Sequence, residues 1–127
     1  MSVVRSTEAR RTETPNAVMT TFASPAQGGT GLAMWRVEMG AGKQGPLHVF
    51  DVEQIWTVLG GGATVELGAD ELAVGAGDTV IMPAGVARRI TTGTAGGFTA
   101  VVAAPGGARV HKVGESGDTA FVPGWIA

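Results

Sequence analysis

Apolar and β-branched residues fall in short runs along this chain: Ala17 to Ala23, Gly31 to Met39, Gln54 to Leu59, Ala63 to Leu67, Glu71 to Val74, Asp78 to Met82, Ala87 to Thr92, Phe98 to Ala104 and Ala108 to Val113. Each is of strand length, and no stretch carries the periodicity of a long amphipathic helix. Their lengths and spacing predict an all-β domain, an antiparallel barrel or sandwich. Gly60-Gly61-Gly62 and Gly75-Ala76-Gly77-Asp78 are predicted hairpin turns, because glycine enters the positive-φ conformations that tight turns need. The polar segment 1–12 reads as an N-terminal arm, frayed or paired with a second subunit, ahead of a single domain over 13–127.

Alternation assigns faces to these strands. A period of two puts Gln54, Trp56 and Val58 on one side and Ile55, Thr57 and Leu59 on the other. Upstream, Trp35, Val37 and Met39 alternate with Arg36 and Glu38, again one apolar face and one polar.

A chain of 127 residues is of one-domain length and can bury a core without disulfides. With Cys 0, a disulfide framework, a thiolate metal site and a cysteine nucleophile are excluded. Nine Lys+Arg against eleven Asp+Glu give a net charge of -2 with no basic block, which argues against nucleic acid or an anionic membrane surface as partner. No apolar run is long enough to span a bilayer, and Met1 to Arg11 is polar where a signal peptide would be apolar, so the expected location is the cytoplasm. The 21 glycines have no fixed period and read as many tight turns.

Two segments carry candidate chemistry. Gly45-Pro46-Leu47-His48-Val49-Phe50-Asp51-Val52-Glu53-Gln54, running on to Gly60-Gly61-Gly62, resembles the first cupin motif. Gly77-Asp78-Thr79-Val80-Ile81-Met82-Pro83-Ala84-Gly85-Val86-Ala87-Arg88 resembles the second. The resemblance implies a cupin-type double-stranded β-helix, a jelly-roll barrel whose ligand-bearing face turns inward. Matched residue by residue, the first metal-ligand histidine of the family is His48, the second is Phe50, the carboxylate is Gln54 and the last histidine is Arg88. Gln54 and Trp56 would then share the lumen with His48 and Phe50, and the same matching turns Arg88 and Ile90 inward, with Arg89 facing out.

A divalent first-row metal needs several imidazole or carboxylate donors converging on one point. At the matched positions only His48 is a strong donor, Gln54 is a weak one, Phe50 cannot bind and Arg88 is a permanent cation. No metal or other cofactor is therefore expected. Glu53, turned inward by a bulge, and His111, beyond the second motif, are the residues that would have to rescue such a site.

His48 reads either as a hydrogen-bonded barrel histidine or as an acid/base group. Arg88 reads either as half of a buried pair with Glu53 or Asp51, as a side chain bent out at the barrel mouth, or as a clamp for an anionic ligand; an inward head needs an anion or acidic partner. Phe50, Trp56 and Trp35 fill volume or form a binding platform. Fold alone does not choose a function. The leading expectation is a metal-independent pocket for an aromatic or anionic small molecule, with His48 and Arg88 catalytic in an isomerase, cyclase or lyase-type proton transfer and Phe50, Gln54, Trp56, Trp35, Met82 and Ile90 lining it. A metal-dependent, dioxygenase-like oxidoreductase and a non-catalytic binding protein are the alternatives. A homodimer is expected, because a small barrel with an apolar outer face needs that face covered.

Overall fold

The computed structural model describes residues 2–127. Strands β1 (Arg10–Glu13), β2 (Val18–Ala23), β3 (Leu32–Met39), β4 (His48–Phe50), β5 (Gln54–Leu67), β6 (Asp70–Gly75), β7 (Thr79–Met82), β8 (Arg88–Thr91), β9 (Phe98–Pro105) and β10 (Val110–Lys112) curl into an antiparallel jelly-roll barrel. Single 3-10 turns at Ser6–Glu8 and Gly117–Thr119 are the helical elements, and no helix among the described residues is long and apolar enough to cross a membrane.

β5 joins the two halves of the barrel. Its first half pairs with β7 and β9, Gln54 opposite Met82 and Ile55 opposite Ala103; its second half pairs with β6 and β8, Val65 opposite Leu72 and Ile90. The expected hairpin at Gly60-Gly61-Gly62 is therefore corrected: the glycines bend one continuous strand, with a register shift between Val58 and Gly60. Glycine is required there for space as well as conformation. Gly61 has φ of 70°, and a Cβ on it would lie 1.9 Å from the Gly97 carbonyl oxygen. The second expected turn is present, with Gly77 at φ 91° and the Asp78 carboxylate accepting from the Gly75 amide at 2.8 Å.

Part of the polar N-terminal segment is strand: β1 pairs with β2 of the same chain, Arg10 opposite Thr21. The C-terminus is also tied in. The buried hydroxyls of Thr21 and Ser24 each donate at 2.6 Å, to the carbonyls of Trp125 and Ala127, which seats Ile126 in the core.

The alternation read from sequence sorts the faces as expected. Trp35, Val37 and Met39 are buried on β3, and Phe98, Ala100, Val102 and Ala104 on β9, while Arg36 and Glu38 pair outside at 2.8 Å. The outer face of this sheet is apolar in its middle. Cross-strand register sets Met34, Ala103, Ile55 and Ile81 in one row across β3, β9, β5 and β7, with Leu32 and Leu59 also exposed nearby on β3 and β5.

Candidate functional site

The barrel holds a cavity of about 410 Å³ bordered by His48, Phe50, Gln54, Trp56, Trp35 and Ile90. Six of the eight residues expected at the site thus meet there; Met82 and Arg88 lie outside its wall. Further apolar surface comes from Met19, Val37, Met39, Phe121 and Trp125, and Lys112 and Glu115 bring charge to its edge. Phe121 and Trp125 were not foreseen, because only folding brings the C-terminal segment across the barrel mouth. A second hollow, about 470 Å³, runs over Gly61–Thr64, Gly93 and Ala95–Gly97. It is an open surface depression whose only polar side chain is Thr64, so it offers almost no means of holding or transforming a ligand.

His48 stands on β4, directly opposite Arg88 of β8 and Lys112 of β10. Its Nδ1 lies 2.7 Å from the Pro46 carbonyl oxygen. A carbonyl only accepts, so Nδ1 carries the proton and Nε2 keeps its lone pair. Burial lowers the imidazole's proton affinity below the usual 6.5; the Pro46 bond opposes that and the Arg88 charge adds to it. At neutral pH His48 is a neutral base with a defined tautomer. Its ring meets Phe50 edge-on at 5.4 Å between centroids.

His111 borders the cavity mouth, but its cross-strand partner is Val49, while Val110 and Lys112 oppose Phe50 and His48. Directly paired residues share a face of the sheet, so the His111 side chain starts on the face away from His48. Glu53 is exposed at the turn before β5.

Gln54 is 1% exposed, and its Oε1 accepts from Trp56 Nε1 at 3.0 Å. Trp56 stacks on Phe98 at 6.4 Å, which braces one wall of the cavity.

Arg88 is 1% exposed and turned inward at its base, and its head pairs with no acidic side chain among the described residues. Nε donates to the Val86 carbonyl at 3.1 Å, one terminal nitrogen donates to the Pro83 carbonyl at 2.7 Å, and the other lies 3.8 Å from Met82 Sδ. The guanidinium centre sits 5.6 Å from the Phe50 ring centroid, so Phe50 intervenes between cation and cavity. A pair with Glu53 or Asp51, one of the three readings of Arg88, does not form; Asp51 instead accepts from the Arg109 amide at 2.8 Å. The physical reason is reach. A chain of this length folds back onto the carbonyls of its own approach loop and satisfies its donors there. Burial pulls its affinity for the proton down to about 10, still charged at neutral pH.

The Cupin domain family matches residues 35–103, more than half of the chain. The chain belongs to the cupin family. No curated protein matches the cupin in sequence. Among solved structures it superposes on the polyketide cyclase RemF from Streptomyces resistomycificus with a TM-score of 0.76 at 22% identity, covering 93% of this chain and 89% of that one. A cupin-2 domain protein from Rhodospirillum rubrum gives 0.71 at 14% identity, with 82% and 74% covered. The DMSP lyase DddQ from Ruegeria pomeroyi gives 0.67 at 24% identity, with 77% of this chain and 56% of that one covered. At these identities the likeness speaks for the fold.

Phe50 offers a ring, the Gln54 oxygen is committed to Trp56, and Arg88 brings a positive charge. Among the described residues no three His, Cys, Asp or Glu side chains gather where a metal could be held.

Proposed function

We propose that this cupin binds a small aromatic or conjugated molecule in the barrel cavity and moves a proton on it without a metal. The observation that carries the reading is His48, which presents a neutral imidazole with Nδ1 committed to Pro46 and Nε2 free at the wall of an aromatic cavity. Mostly apolar walls with a few placed polar groups are the general anatomy of ligand sites. An imidazole that burial keeps neutral at neutral pH is in the form a general base needs. The donor set does not fit a divalent metal, because one imidazole beside a guanidinium and a committed amide supplies neither the number nor the charge that coordination needs. That weighs against the dioxygenase-like alternative. The fold neighbours include a polyketide cyclase and a DMSP lyase, so this barrel carries enzymes of more than one reaction class.

Binding is tested with β-tetralone, a bicyclic ketone small enough for a cavity of about 410 Å³. Saturable quenching of tryptophan fluorescence is expected, weakened about fivefold by Trp56→Leu, since an aromatic contact is worth about 1 kcal/mol beyond its area. A linear, non-saturating response would remove the ligand-site reading.

The apolar row of Met34, Ala103, Ile55 and Ile81 is the surface we assign to pairing of two copies, because a patch of this kind is normally covered in a stable protein. Light scattering at micromolar concentration is expected to give twice the chain mass, and Ile55→Lys to give a monomer. A wild-type monomer, or an Ile55→Lys dimer, contradicts that assignment.

A further inference from the structure

We propose that the side-chain amide of Gln54 holds the ligand's oxygen, donating from Nε2 to a carbonyl that becomes an enolate during the reaction. The inference rests on reading the cavity as a ligand site, and it names the chemistry of the ligand's polar end. Trp56 Nε1 can only donate, so the Gln54 atom 3.0 Å away is the oxygen. The amide cannot flip without setting two donors against each other. Its NH2 group is therefore directed away from Trp56, and Nε2 is buried with no hydrogen-bond partner.

Buried donors are almost always satisfied, and an orphan calls for a cause. Two other side-chain nitrogens are orphaned among the described residues, Arg10 Nε and Arg89 Nε. Both belong to guanidinium groups engaged elsewhere, Arg10 with the Ala127 carbonyl and Arg89 near Glu66. Gln54 is different. It is fully buried, locked in orientation, and part of the cavity wall beside Trp56. An acceptor oxygen in the cavity completes its hydrogen bonding, whereas a hydrocarbon leaves it unpaired.

Together with His48 this specifies a ligand class, an enolisable ketone on a flat conjugated body. His48 Nε2 takes the proton from the carbon beside the carbonyl. The C–H electron pair becomes the new C–C π bond, and the carbonyl π pair moves onto oxygen, where the Gln54 N–H holds the developing charge. Where a C=C is conjugated to that enolate, return of the proton from His48 to the γ carbon of the resulting dienolate, with the carbonyl re-formed, completes an isomerisation with no change of oxidation state; without it, return to the α carbon gives proton exchange.

The test compares β-tetralone with tetralin, the same bicycle without oxygen, in wild type and Gln54→Met, whose side chain keeps the length and loses the donor. Wild type is expected to bind the ketone about tenfold tighter than the hydrocarbon, and Gln54→Met to erase that ratio. Independently of whether the variant folds, the carbonyl stretch of β-tetralone bound to wild type is expected at lower wavenumber than in hydrocarbon solvent. Equal affinities, a ratio that survives Gln54→Met, or an unshifted carbonyl band overturns the assignment of Gln54 and leaves the aromatic cavity standing. Binding of neither compound overturns the ligand-site reading and the Gln54 role with it.

Discussion

Arg88→Ala is expected to destabilise the fold by about 3–5 kcal/mol in urea denaturation, because it empties the volume behind Phe50 and strips the Val86 and Pro83 carbonyls of their donors. Arg88→Met fills most of that volume and removes a buried charge that has no acidic partner. Its loss should be smaller, about 1–2 kcal/mol. Neither change should alter β-tetralone affinity greatly, since the head does not border the cavity. Arg88→Met should also raise the proton affinity of His48, whose lowering includes a contribution from the Arg88 charge. If both variants are as stable as wild type, or if both abolish ligand binding while folded, Arg88 is not the structural cation described here.

His48→Gln is expected to slow proton exchange on a bound ketone by about 10²–10⁴-fold, the usual worth of a positioned acid/base group. The readout is loss of the α-proton signal of β-tetralone in deuterated water. The glutamine keeps a polar group of similar reach, so binding should survive while exchange does not. The pH dependence has a definite sign. His48 acts as a base only when neutral, and burial lowers its proton affinity below 6.5, so the rate should be flat above that and fall as pH drops through the lowered value. Stability follows the same direction. The unfolded chain protonates this imidazole first, so no penalty exists above 6.5 and stability declines below it, a dependence that His48→Gln should reduce. Exchange that persists in His48→Gln assigns the base elsewhere.

The faces of the strands were legible because side chains alternate with a period fixed by the backbone. Gln54 and Trp56 on the inner side of β5, and Trp35, Val37 and Met39 on β3, follow from that alone. Gly77 and Gly85 marked the two ends of β7 for a different reason, the positive φ that the turns there require. Three things were not legible. Gly60-Gly61-Gly62 carries the composition of a hairpin, and only the close approach of Gly97 to Gly61 shows that it bends a continuous strand. Arg88 was assigned correctly to the inner side, but a long flexible stem leaves the position of its head to local carbonyls that no periodicity encodes. Phe121 and Trp125 reach the cavity through the hydrogen bonds that Thr21 and Ser24 make to the C-terminal segment, a contact across most of the chain. His48 is the opposite case. Its motif position announced it, and its meaning came from a single bond to Pro46 two residues away, which sets the tautomer.

The most direct measurement is proton exchange on β-tetralone by wild-type protein freed of metal with a chelator, followed by NMR in deuterated water, then repeated after one equivalent of zinc. Exchange should be well above the buffer rate in the metal-free protein and unchanged by zinc. A metal-free protein that is inactive, with activity returning in proportion to added zinc, would contradict a cavity in which His48 alone moves the proton.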